Sequence, residues 1–190
     1  MSYCCALQGM FQIYTTYWTN IPGYEERAIC SFCKKKNNEE IVESKQHMWL
    51  DCENNNQNQA WETTKKIWQK CTPQPWPLLL MGLIRGSPTL SFENDCNKDT
   101  KRLWTLISMM IWTIWKSRNK STILDQDVTP KETRATLIEL IKDLIRKRWI
   151  TTCFLEEGER ITCQCEIWKI WVDKKFANFG PKLGATFDLS

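Results

Sequence analysis

Between residues 28 and 52 the chain reads AICSFCKKKNNEEIVESKQHMWLDC. Two cysteines stand two residues apart, the protein's only histidine follows, and another cysteine comes after four more residues. Nothing else in the sequence restricts the fold as strongly. A Cys-x2-Cys pair offers two sulfurs from one tight turn, and His47 and Cys52 lie about one helical turn apart, so both can face the same point. Three cysteines and a histidine are a standard set for a tetrahedral ion such as zinc. The 13-residue gap between Cys33 and His47 is polar and short enough to fold back. The competing reading is a buried cysteine pair beside an exposed histidine. With ten cysteines in the chain, a Cys-x2-Cys arises readily by chance. The histidine and Cys52 at ligand spacing favour the metal: C-x2-C-x13-H-x4-C over Cys30, Cys33, His47 and Cys52. Such a closed set leaves no open position for water, so the zinc is structural and its binding energy is folding energy for residues 28–55.

The remainder reads as a globule. Apolar residues make up 42% and charged residues 25% of 190, which permits a core and argues against wholesale disorder. Eleven tryptophans demand burial, while only seven glycines disfavour a turn-rich sandwich or barrel. A net charge of +4 with basic runs at Lys34-Lys35-Lys36 and Arg146-Lys147-Arg148 permits nucleic-acid contact, and also describes an ordinary solvated face. The opening MSYCCALQGMFQIYTTYW lacks the regions of a secretory signal. The most apolar run, Leu103 to Trp115, is shorter than the roughly 20 residues a membrane helix needs. These points predict an intracellular protein, nuclear or cytoplasmic, without a membrane partner and with reduced cysteines. Cys4, Cys5, Cys71, Cys96, Cys153, Cys163 and Cys165 read as structural or incidental.

Residues 1–27 read as a lead-in, the last helix of an upstream domain closed by the turn IPGYEER. Residues 28–55 form the knuckle, 56–150 a helical domain and 151–190 a weakly structured tail, in which RITCQCEIWKIWV (160–172) alternates loosely like a strand. ENNNQNQ (53–59) reads as a polar linker. Trp61, Thr64, Trp68 and Cys71 share one face of a helix over 60–71, ended by Pro73, Pro75 and Pro77. LLLMGLI (78–84) suits strand or helix, and 85–99 a loop. A central helix over 100–120 is apolar nearly all round and calls for enclosure on most sides. Thr129-Pro130-Lys131-Glu132 is a capping-box pattern ahead of the stripe Leu137, Ile138, Ile141, Leu144, Ile145 and Trp149.

Catalysis has little to stand on here. With His47 bound to metal, no base remains for a Cys-His or Ser-His pair. No glycine-rich phosphate loop is present. Asp95, Asp99, Asp125 and Asp127 fall in loops without strands to hold magnesium ligands rigidly.

YWTNIPGYEERAICSFC and ESKQHMWLDC resemble the region after the ribonuclease H domain in fungal non-LTR retrotransposon polyproteins, the zinc-binding region associated with reverse transcriptases. AWETTKKIWQKCTPQPWPLLLMGLI, LISMMIWTIWKSRNKSTI and RKRWI are similar to later segments of that family, so the likeness covers about residues 10–150. It implies Cys30, Cys33, His47 and Cys52 as zinc ligands, and a structural role for Trp112, Trp115 and Arg118. The sequence departs from the family in the long KKKNNEE loop and in Gln46, which stands where an acidic residue is usual. Neither a polymerase Asp-Asp strand nor a ribonuclease H carboxylate set is found, so the chain resembles the C-terminal piece of a larger protein and is not expected to be an enzyme alone.

The expectation is therefore a mostly α fold, a small helical domain with an N-terminal CCHC zinc knuckle. In it Lys34, Lys35, Lys36 and Arg118 contact RNA or DNA phosphates, and Trp49 either stacks on a base or packs beneath the knuckle. Two alternatives stand beside it: a structural domain that closes off an upstream ribonuclease H or reverse transcriptase domain, and an inactive remnant.

Overall fold

The computed structural model describes residues 18–76, 97–152, 154, 156–159, 177–179 and 185–187. The protein is mostly helical. After a short 3₁₀ turn (Glu25–Ala28) come helix α1 (Ser31–Asn37), a π-helical turn (His47–Asp51), and helices α2 (Gln57–Cys71), α3 (Asn97–Leu124) and α4 (Pro130–Thr152). Two three-residue strands, β1 (Ala177–Phe179) and β2 (Ala185–Phe187), pair antiparallel with Asn178 opposite Thr186. They lie within the stretch expected to be a tail. The expected N-terminal helix, the run 78–84 and the strand at 160–172 lie outside the described residues.

Helices α2, α3 and α4 pack against one another pairwise. Each contributes an apolar stripe at three- and four-residue steps, the spacing that puts side chains on one helix face. From α3 come Leu103, Leu106, Ile107, Met110, Ile111 and Ile114; from α4, Leu137, Ile141 and Ile145; from α2, Ala60, Ile67, Trp68 and Cys71, all buried. The side chain of Trp149 is not described. Trp76, just past the end of α2, sets its ring edge-on to both Trp61 and Trp68. The buried indole of Trp68 donates to the Gln74 carbonyl at 3.0 Å.

Local chemistry sets the helix ends. The Thr129–Glu132 capping box forms in full. The Thr129 amide donates to Glu132 Oε2 at 2.8 Å, and the Glu132 amide donates to Thr129 Oγ1 at 3.2 Å. Those two bonds satisfy amides that a helix start otherwise leaves open. The start of α2 differs from expectation. Residues 57–59 are not a linker but the first turn of the helix, and Gln57 is fully buried. Asn55 explains this: its Oδ1 accepts from the Gln57 amide at 3.0 Å, while its Nδ2 donates to the Met48 carbonyl at 2.8 Å.

Helix α3 is longer at both ends than its sequence pattern suggests, and its enclosure is partial. Trp104, Met109, Trp112 and Trp115 are half-buried, because α2 and α4 cover only part of its circumference. Trp112 and Trp115 stack on each other with centroids 4.8 Å apart. Among the described residues no helix is long and apolar enough to cross a membrane.

Candidate metal centre

The four residues of the C-x2-C-x13-H-x4-C pattern meet. Their ligand atoms all lie within 4.8 Å of one another. Cys52 Sγ is 3.8 Å from both Cys30 Sγ and Cys33 Sγ, and Cys33 Sγ is 3.4 Å from His47 Nε2. A tetrahedron with metal–sulfur distances of about 2.3 Å has sulfur–sulfur edges of about 3.8 Å. All four residues are buried: Cys30 is 0% exposed and His47 7%.

Backbone geometry accounts for the convergence. Cys30 precedes α1 and Cys33 lies in its first turn, so the amide of Cys33 turns back toward Cys30 Sγ. Asn38 ends α1 in the left-handed region at φ 56°, which asparagine tolerates better than most residues. The chain then returns beside its own start. Cys30 N–H donates to the Ile41 carbonyl and Glu43 N–H to the Ala28 carbonyl, both at 2.8 Å. That pairing closes the loop and places residue 44 next to the knuckle, where Ser44 Oγ accepts from the His47 amide at 2.9 Å.

The step from His47 to Cys52 needs the π turn. Five α-helical steps would leave two side chains roughly 140° apart around the axis. Here Cys52 N–H donates to the His47 carbonyl at 2.7 Å, an i→i+5 bond that completes the turn in five residues and returns Cys52 to the side of His47.

Donors surround the sulfurs. The Asn54 amide hydrogen-bonds Cys52 Sγ, and Asn54 Nδ2 donates to Cys33 Sγ at 3.5 Å. A hydrogen bond from the Cys52 thiol, helped by the Cys33 amide, pulls Cys30 down to about 4 against the effect of burial. The same bond, together with burial, pushes Cys52 up, and burial pushes Cys33 up. Coordination needs all three as thiolates, so binding releases protons and weakens in acid.

Behind the cluster lies a buried ion pair. Arg118 of α3 donates through Nη2 to Glu43 Oε2, and its guanidinium sits 5.4 Å from the centre of the Phe32 ring. Burial pushes the Glu43 carboxyl up to about 7, opposed by the neighbouring Arg118 charge. Arg118 is only 9% exposed, so it is withdrawn from solvent. Trp49, at 4% exposed, is also turned into the core, beneath the knuckle. The lysine run is exposed but engaged. Lys34 lies 3.9 Å from Glu26 and 3.6 Å from Glu40, Lys35 3.7 Å from Asp125 and 3.9 Å from Asp127, and Lys36 Nζ donates to the Asn54 carbonyl at 3.3 Å.

Of the other carboxylates considered, Asp95 lies outside the described residues, Asp125 and Asp127 flank Lys35, and Asp99 stands apart from them. Asp99 is buried at the start of α3, held by Arg102 and by Thr72 Oγ1 at 3.1 Å. Asp125 lies just beyond the other end of that helix, about 40 Å away at 1.5 Å per residue. Sequence reasoning missed Glu43, Asn54 and Asn55. Only Asn54 left a signal, standing two residues after a ligand cysteine.

No protein-family model, no curated protein and no solved structure matches this chain.

Proposed function

We propose that this chain is a non-catalytic module organised by one structural zinc ion on Cys30, Cys33, His47 and Cys52. The observation that carries this reading is the near-tetrahedral spacing of the four buried ligand atoms. Three thiolates and an imidazole suit zinc, the spacing fits Zn–S bonds of about 2.3 Å, and a full protein ligand set leaves no site for a reacting water. The chain's only histidine, the commonest acid–base group, belongs to this cluster.

The motif resemblance extends the reading. In it the module is the zinc-binding region of a retrotransposon-type reverse transcriptase polyprotein and holds RNA or DNA near catalytic domains that lie elsewhere. A second reading, in which the module packs against a ribonuclease H domain, is favoured by the half-buried tryptophans along α3.

Elemental analysis of the purified chain tests the zinc reading, alongside a Cys30→Ser, His47→Ala variant. One zinc per chain, absent from the variant together with its cooperative melting, is expected. Cobalt substitution should add thiolate charge-transfer bands. A metal-free chain that melts like its variant would return the four residues to ordinary packing.

A further inference from the structure

A second basic surface lies away from the lysine run. Between α2 and α4 is a cleft of about 330 Å³ lined by Lys66 and Lys70 of α2 and Arg134 of α4, over a floor of Ile67 and Ile138. Among the described residues no carboxylate lines it. Lys66 and Arg134 are exposed, and among the described residues neither has an acidic partner within ion-pair distance. The acids nearest in sequence do not neutralise them: Glu139 pairs with Lys142 at 3.0 Å, and Glu62 makes no ion pair with Lys66.

We propose that this α2–α4 cleft, and not the Lys34–Lys36 run, is the surface on which the module holds a nucleic-acid backbone. The inference rests on the nucleic-acid side of the function proposed above and gives it a location. Two considerations support it. The carboxylates beside Lys34 and Lys35 offset their charge and repel an incoming phosphate, whereas among the described residues no acid stands within ion-pair distance of Lys66 or Arg134. Arg134 presents a planar fork suited to two phosphate oxygens, with Lys66 as a point charge beside it.

The test is fluorescence anisotropy with the zinc-loaded full chain. The probes are a labelled single-stranded RNA of about 20 nucleotides, longer than a typical site, and a duplex DNA of equal length. Three proteins are compared: wild type, Lys66→Gln/Arg134→Gln, and Lys34→Gln/Lys35→Gln/Lys36→Gln, with melting temperatures checking that each is folded. Loss of the cleft pair should weaken binding of at least one probe roughly tenfold, and should lower the slope of log affinity against log salt by about 2. The lysine-run variant should stay within about twofold of wild type, since acids flank Lys34 and Lys35 and Lys36 is turned to the Asn54 carbonyl. Equal affinity of wild type and the cleft variant overturns the location and leaves nucleic-acid binding standing. Failure of wild type to bind either probe overturns both, while the zinc content decides the metal reading independently.

Discussion

Arg118 and Glu43 are 75 residues apart in sequence and form a buried ion pair that ties helix α3 to the strand-like segment leading into the metal cluster. Glu43 Oε1 and Arg118 Nη1 find no further partner among the described residues, so the pair is not fully compensated. Arg118→Ala should therefore cost about 3–5 kcal/mol, since it leaves a buried carboxylate without its cation. The double replacement Glu43→Gln/Arg118→Met should cost distinctly less. Urea unfolding of wild type, Glu43→Gln, Arg118→Met and the double variant measures this directly; additive losses would show that the two side chains do not act as a pair.

Asn55 joins the metal lobe to α2 with both ends of its amide. Asn55→Ala should lower stability by about 1–3 kcal/mol, the range for stranding buried polar groups. Asn55→Asp keeps the acceptor for the Gln57 amide but loses the donor to Met48, so it should fall below wild type as well. If aspartate matched wild type in thermal melting, the bond to the Gln57 amide alone would account for the contribution of Asn55.

The capping box on α4 gives a pH signature away from the metal. The Thr129 amide and hydroxyl hold the Glu132 carboxyl below its usual value. A carboxyl depressed in the folded state adds stability above its unfolded pKa, and that contribution disappears as pH falls through the folded value. Glu132→Gln should flatten the stability profile at the acid end. Thr129→Ala should cost about 1 kcal/mol near neutrality. Parallel denaturation curves at several pH values, with metal-independent helicity as the readout, test both.

Trp68 is fully buried and touches the heart of the helical core. Trp68→Ala should cost about 3–5 kcal/mol through lost transfer energy and the cavity left behind. Trp112→Ala, on the half-buried face of α3, should cost less. Chemical denaturation of the two variants gives the ranking, and a reversed order would move the centre of the core.

Metal removal should act locally first. Amide exchange at Cys52, whose N–H closes the π turn on His47, should lose protection when a chelator is added, ahead of amides in the buried centre of α3. Simultaneous loss everywhere would mean that metal binding and folding of the whole helical domain are one event.

Much of this was legible in the chain because it is local. The α4 stripe and the Thr129–Glu132 cap depend on neighbours three or four residues away; Leu137, Ile141 and Ile145 of the stripe are buried and the cap forms as its spacing predicts. The Cys30, Cys33, His47 and Cys52 set was readable because ligand chemistry restricts residue type and spacing together. The early start of α2 was not readable: ENNNQNQ is polar throughout, and only the Met48 carbonyl and the surrounding core make Asn55 a bridge to the Gln57 amide and Gln57 an interior residue. The π turn also escaped, since five residues between ligand positions suit several backbone paths.

The sequence by itself determined the helices and the composition of the candidate metal site, because periodicity and ligand type are properties of short stretches. Tertiary structure alone decided which charges face outward free and which are consumed. Lys34 and Lys35 meet acids from the 3₁₀ turn, the α1 exit and the α3–α4 loop, and Arg118 meets Glu43. Trp49 is covered by the core, while Lys66 and Arg134, from two helices distant in the chain, line one cleft with no acid within ion-pair distance among the described residues. Burial and ion pairing depend on distance in space, and no pattern along the chain encodes which remote elements will meet.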